Sequence, residues 1–208
     1  RWREHRGSVR SRVQATPGPE GASGGPQPIA SPDVSTAPEF DVVGVGNALV
    51  DVIAHADDGF IQQHELVKGS MTLVDTERAL YLYQALGTAL EMSGGSAANT
   101  MTGVASLGGK AAYLGKVSDD DLGNVFGHDL RAVGVQFRPG APEADTPTGR
   151  CIIVVTPDAQ RTMNTYLGAC TRLGPADIDT KLVASAKVTY VEGYLWDPPE
   201  AKKAVLKA

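Results

Sequence analysis

The run Gly94-Gly95-Ser96-Ala97-Ala98-Asn99-Thr100-Met101-Thr102-Gly103-Val104-Ala105-Ser106-Leu107-Gly108-Gly109 fixes the layout of the chain. Paired glycines stand on either side of a helix predicted over residues 97–107. Ala97, Met101, Val104 and Ala105 recur on one face of that helix, and small side chains there let it lie close against a sheet. Ser96 reads as the N-cap, with Asn99 at the third helical position and its side chain tilted back toward the helix start. Two glycines let a ligand approach the backbone, and the first-turn amides are unpaired donors. A carboxamide beside them both donates and accepts, which suits a polyhydroxylated ligand. The same residues also read as a plain glycine turn before a capped helix, and spacing alone does not separate the two.

Strand and helix signals alternate on both sides of this run. Asp41-Val-Val-Gly-Val-Gly46 reads as a short buried strand ending in a glycine turn, Leu49 to His55 as a second extended segment, and Ser70 to Val74 as a third. Asp75 caps a helix in which Ala79, Leu82, Leu86 and Leu90 keep helical spacing across Gly87. After the central helix, Ala111 to Val117 is a strand. Asp119 or Asp120 then caps a helix whose Leu122, Val125, Phe126 and Leu130 share a face and which Gly134 ends. Cys151 to Thr156 and Arg161 to Leu167 flank Pro157-Asp158-Ala159-Gln160 as a β-hairpin. Pro175 to Ala186 is predicted helical, Val188 to Glu192 a buried strand, and the residues from Pro198 a final helix. Strands alternating with helices of this length specify an α/β protein with a parallel sheet. The hairpin and the early strands are expected to form an antiparallel flap on it.

Composition narrows the class. The chain has 208 residues with 19 basic against 24 acidic, a net charge of −5, which argues against a general nucleic-acid binder. No apolar run approaches the length of about 20 residues that spans a membrane. Cys151 and Cys170 are too few for a disulfide framework and have no metal-ligand neighbours at useful spacing, so no metal site is expected and a reducing compartment fits. Residues 1–39 differ from the rest, holding six of the 13 prolines and five arginines within the first 13 positions. That composition is of a disordered tail or, being Arg-rich and acid-poor, of an organellar transit segment. The folded part is expected over residues 40–208.

Other residues carry weaker signals. Asp51, following Gly46-Asn47 in an apolar setting, needs hydrogen-bond partners, which a pair of sugar hydroxyls would supply; a turn or cap aspartate is the alternative. Gly44-x-Gly46-x-x-Leu49 half-matches a dinucleotide fingerprint, but Leu stands at the third position and no helix opens there. Asp119-Asp120-Asp121 sits at a helix start and reads as capping rather than metal binding. His5, His55, His64 and His128 show no catalytic or metal spacing. Glu192 ends a strand, at the sheet edge where α/β proteins place ligands.

In combination, Gly46-Asn-x-x-x-Asp51, Gly94-Gly95-Ser-Ala-Ala-Asn99, Ala105-Ser-Leu-Gly108, Gly115-Lys-Val-x-Asp-Asp120, Thr148-Gly149 and Arg161-Thr-Met-Asn-Thr-Tyr-Leu resemble the ribokinase-like (PfkB) family of carbohydrate and nucleoside kinases, most closely its bacterial adenosine-kinase-like branch. The resemblance spans residues 40–208. It implies an α/β sandwich with a β lid closing over the acceptor, and ATP-dependent phosphoryl transfer, with Mg²⁺, to the hydroxymethyl group of adenosine or a related compound. It further implies that Asp51 and Asn99 hold ribose hydroxyls, that Gly95 lies against the ring with Gly94 beside it in the substrate site, and that Asn47, Ser96 and Cys151 lie near the nucleoside. Arg161 is implied to reach from the lid toward the transferred phosphate. Glu192 departs from the adenosine kinases, and Met101 replaces a small residue.

The family's Asp-Thr-x-Gly-Ala-Gly-Asp signature, whose last Asp is the general base, is not among the 208 residues. The expectation is therefore a front portion whose catalytic base and most of whose ATP site lie beyond Ala208, inactive by itself. Two other functions fit the same residues: a kinase for fructose-like or keto-sugars, and a catalytically silent nucleoside- or sugar-binding module. The expected partner is a small molecule, with no nucleic acid and no membrane, in a monomer or a homodimer joined through the lid. The expected location is cytoplasmic, or a plastid or other organelle if residues 1–39 are a transit segment.

Overall fold

The computed structural model of the chain describes residues 37–208. The reading of residues 1–39 as a tail or transit segment falls almost wholly outside that range. In chain order the elements are β1 (Phe40–Val45), β2 (Leu49–His55), α1 (Asp58–Gln63), β3 (Met71–Leu73), α2 (Thr76–Ala85), β4 (Leu90–Gly94), α3 (Ser96–Ser106), β5 (Ala111–Gly115) and α4 (Asp121–Ala132). There follow β6 (Gln136–Pro139), β7 (Gly149–Val155), β8 (Arg161–Tyr166), α5 (Thr180–Ala184), β9 (Ala186–Val191) and α6 (Pro199–Lys207). Among the described residues no helix is long and apolar enough to cross a membrane.

The strands form two sheets. The first is four-stranded, in the order β6-β5-β1-β9, and every pairing in it is parallel. Side-chain alternation along its central strands serves two cores. Val43 and Val45 of β1, with Ala112 and Leu114 of β5, pack with Leu182, Leu195, Ala201 and Ala204 on one side. On the other side Ala111 and Tyr113 of β5 pack with Met101 of α3 and with Phe126 and Leu130 of α4. The approach of α3 to β1 is close because residue 44 is glycine: a Cβ there would lie 2.7 Å from Met101 Cγ. The unusual Met101 is thus a packing residue, fully buried over β1.

The second sheet is five-stranded, in the order β3-β8-β7-β2-β4. It corrects the expected antiparallel flap. The predicted hairpin is present as β7 and β8, but β7 lies parallel to β2, so the lid is a mixed sheet separate from the first. Val50 and Val52 of β2 and Ile152 of β7 join the core shared with α3 and α4, which seats the lid on the body of the protein.

Other expectations are revised. Helix α2 ends at Ala85, and Leu90 begins β4, which runs antiparallel to β2; the helical spacing of Leu86 and Leu90 across Gly87 was coincidental. Ser96 is not the cap of α3. Gly95 holds the cap position at φ +89° with no side-chain capping bond, which places Asn99 one residue deeper than expected. Strand β9 is not buried: it is an edge strand, with Val188 54% and Tyr190 37% exposed. The predicted helix over 175–186 is a 3₁₀ turn at Pro175–Asp177 and then α5, which Asp179 caps. Asp120 caps α4 as expected.

Candidate functional site

The turn between β1 and β2 and the start of α3 face each other at the carboxyl end of the parallel sheet. Gly46 must be small, since a Cβ there would lie 2.5 Å from Ala97 Cβ and 2.9 Å from Glu192 Oε2. Gly95 must be glycine twice over. Its φ is left-handed, and a Cβ would lie 2.5 Å from the Asn47 carbonyl oxygen.

Asn47, Ser96 and Glu192 meet in this corner. The Asn47 amide donates to Glu192 Oε2 at 2.6 Å, and the Ser96 hydroxyl donates to Glu192 Oε1. Asn99 stands one turn into α3, and its backbone N–H closes the first helical bond to Gly95 at 3.0 Å. Its exposed side chain makes no hydrogen bond among the described residues.

Asp51 projects from β2 in a cross-strand row in which it pairs with Met92 on β4 and with Cys151 on β7, which pairs with Thr165 on β8. Paired residues share a face of the sheet, so these side chains form one surface. The Asp51 carboxyl group lies directly over Gly94. It is half-buried and accepts no hydrogen bond among the described residues. Burial raises its pKa above the ordinary carboxylate value, partly offset by the Arg161 charge. An unpaired, partly desolvated carboxylate is suited to receiving hydroxyl donors.

Cys151 is buried, and burial pushes its thiol up to about 11 against the opposing hydrogen bond from Thr165 Oγ1, 3.2 Å away. It therefore offers an apolar surface rather than a nucleophile. Arg161 is exposed at the start of β8, where its charge reaches both Asp51 and Cys151.

The structure thus gathers Asn47, Gly94, Gly95, Ser96, Asn99 and Glu192 around the α3 start, and sets Asp51 and Cys151 on the facing lid strands. Thr165 and Tyr113 escaped the sequence reading. Thr165 is recognisable only from the β7–β8 register, and Tyr113 only from its burial. Among the described residues no three His, Cys, Asp or Glu side chains converge as a metal site.

Residues 74–208 match the pfkB family of carbohydrate kinases. The chain belongs to that family. This pfkB chain is 56% identical to adenosine kinase from Sinorhizobium meliloti, with a TM-score of 0.72, over 80% of this chain and 51% of that one. It is 55% identical to a probable sugar kinase protein from Rhizobium etli, with a TM-score of 0.74, over 82% of this chain and 52% of that one. Fructokinase-2 from Solanum lycopersicum is 33% identical over 101 residues, 48% of this chain and 31% of that protein. The pfkB chain therefore spans about half the length of the solved structures it resembles, and less of that fructokinase.

Proposed function

We propose that the whole protein transfers the γ-phosphoryl group of ATP, with Mg²⁺, to the hydroxymethyl group of a nucleoside, adenosine first among them, and that the described residues form the acceptor side of the site. The observation that carries this reading is the half-buried Asp51 carboxylate, which lacks a hydrogen-bond partner among the described residues and faces the bare backbone of Gly94. Vicinal ribose hydroxyls donating to it would relieve its desolvation. The free carboxamide of Asn99 can accept from or donate to the same hydroxyls. Met92 and Cys151 flank Asp51 in its row and offer an apolar surface for a flat base. The likeness to an adenosine kinase at 56% identity supports the nucleoside, and the likeness to a probable sugar kinase at 55% keeps a sugar as the second reading.

In this reading Asp51 and Asn99 bind and orient the acceptor, and the lid sheet excludes water from it. The Arg161 charge stands at the lid edge, toward the transferred phosphate. In the transfer the acceptor hydroxyl oxygen bonds to the γ-phosphorus, the bond to the β-phosphate oxygen breaks, and the hydroxyl proton leaves to a base. Positioning and charge neutralisation supply most of the acceleration in such reactions.

Calorimetric titration with adenosine, guanosine and fructose tests the reading, together with a phosphoryl-transfer assay of the whole protein with ATP. The expected result is adenosine binding that Asp51→Asn weakens by about tenfold or more, the effect of losing a charged hydrogen-bond acceptor, and turnover with adenosine. Tighter fructose binding would move the assignment to a keto-sugar kinase. Nucleoside binding without transfer by the whole protein would make it a binding module.

A further inference from the structure

Glu192 is a carboxylate only 4% exposed at the end of β9, and both of its oxygens are engaged within the chain. Oε2 accepts from the Asn47 amide at 2.6 Å and Oε1 accepts from the Ser96 hydroxyl. Its own N–H donates to the Val45 carbonyl at 3.0 Å. This residue therefore ties three segments together: its backbone holds the end of β1, and its side chain holds the turn into β2 and the first residue of α3. Among the described residues no cation forms a salt bridge with it, so these donors alone meet its buried charge.

The surroundings are full. A Cβ on Gly46 would lie 2.9 Å from Glu192 Oε2 and 3.3 Å from the hydroxyl of Tyr113, and Tyr113 is itself wholly buried without a hydrogen-bond partner among the described residues. The carboxylate is buried, and both of its oxygens already hold donors from the chain. Gly95 holds the cap position of α3, and Ser96, the first helical residue, gives its hydroxyl to Glu192.

We propose that Glu192 is a positioning residue: it holds the Asn47 turn and the Ser96 end of α3 together around Gly95, shaping the ligand-facing corner without touching the ligand. The effect on ligand binding rests on the nucleoside reading above; the effect on the corner's geometry does not.

The test compares the whole protein with its Glu192→Gln, Ser96→Ala and Ser96→Thr variants by amide NMR, hydrogen exchange, thermal melting and adenosine titration. An amide donating to a carboxylate resonates downfield and exchanges slowly. In Glu192→Gln the Asn47 amide should lose its downfield shift and exchange at least about tenfold faster. Adenosine affinity should fall by about 10- to 100-fold, the range for a lost charged hydrogen bond, with folding retained. Ser96→Ala should weaken adenosine binding by about tenfold, and Ser96→Thr, which keeps the hydroxyl, should restore it. An unaltered Asn47 amide in Glu192→Gln overturns the proposal, as does adenosine affinity within about twofold of wild type once that amide has shifted. If Glu192→Gln does not fold, the Ser96 pair decides on the same criteria. If the wild-type whole protein shows no affinity for adenosine, the nucleoside reading fails, and exchange at Asn47, Gly95 and Ala97 then decides: faster in the variants upholds the positioning role, unchanged overturns it.

Discussion

The Asp51 carboxyl group lies over Gly94 so closely that a methyl group on Gly94 would overlap it. Gly94 does not use left-handed φ, so its backbone accepts alanine, and the added methyl acts on Asp51 alone. Gly94→Ala should swing the carboxylate off its position, lowering adenosine affinity by about tenfold or more. Because the carboxylate is half-exposed and can move, the stability cost should stay near about 1 kcal/mol, at the low end for overpacking. Titration calorimetry and a thermal melt of the same sample separate the two effects.

Asp51 carries a cost in the folded state. Burial raises its carboxyl above the ordinary 3.8, with Arg161 opposing. A carboxyl with a raised folded pKa binds its proton more tightly when folded, so its ionisation lowers stability as pH climbs through and past that ordinary value. Asp51→Asn removes this penalty. The variant should be as stable as wild type at pH 7, or slightly more so, while binding adenosine poorly. Urea melts between pH 4 and 7 should show the wild type losing ground relative to Asp51→Asn as pH rises; the opposite slope would mean that Asp51 is stabilised by a partner within the protein.

Two left-handed glycines separate strain from collision. Gly95 (φ +89°) and Gly108 (φ +87°) share a backbone conformation, but a Cβ on Gly95 meets the Asn47 carbonyl at 2.5 Å, whereas one on Gly108 meets nothing within 4 Å. Gly108→Ala should cost about 1 kcal/mol from backbone strain alone. Gly95→Ala should cost at least about 2 kcal/mol more, because a backbone carbonyl cannot move aside cheaply. Paired chemical-denaturation curves measure the difference.

The tie between α4 and the lid should be sensitive to acid. Asp120 caps α4 by accepting from Gly123 N–H at 2.8 Å and also accepts from the N–H and hydroxyl of Thr148, at 2.9 and 2.6 Å, just ahead of β7. Burial alone would raise its carboxyl, but these hydrogen bonds outweigh it and hold the pKa below 3.8. The stability it contributes is therefore complete above pH of about 4 and is lost as pH falls through its lowered folded value. Asp120→Ala should cost about 3 kcal/mol at pH 7, a cap plus charged hydrogen bonds, and the cost should shrink on acidification. Thr148→Ser should be nearly silent and Thr148→Val should not, as thermal melts will show.

Much of the architecture was legible because one face of each major helix is apolar at the right spacing. In α4, Leu122, Phe126 and Leu130 are all buried, and Asp120 and Gly134 bound the helix as their residue types require. Failures came where long-range contacts override local pattern. Leu90 keeps helical spacing with Leu86, yet pairing with Ile53 makes it a strand residue. Ser96 is a strong N-cap by type, yet the left-handed Gly95 takes the cap position, and the Ser96 hydroxyl goes to Glu192, remote in sequence. The motifs located the site, but they could not reveal that Asp51 stands without a partner while both Glu192 oxygens are taken. That distinction depends on the register of β2 against β4 and β7 and on where β9 ends.

The double service of β2 ties folding to recognition. Val50 and Val52 face the core, while Leu49, Asp51 and Ile53 face the other way. Because a strand alternates with period two, a one-residue slip would send Asp51 into the hydrophobic interior and the valines into the ligand corner. The phase of one strand therefore sets both what the protein buries and what it presents, and an insertion between Asn47 and Asp51 would forfeit the two together.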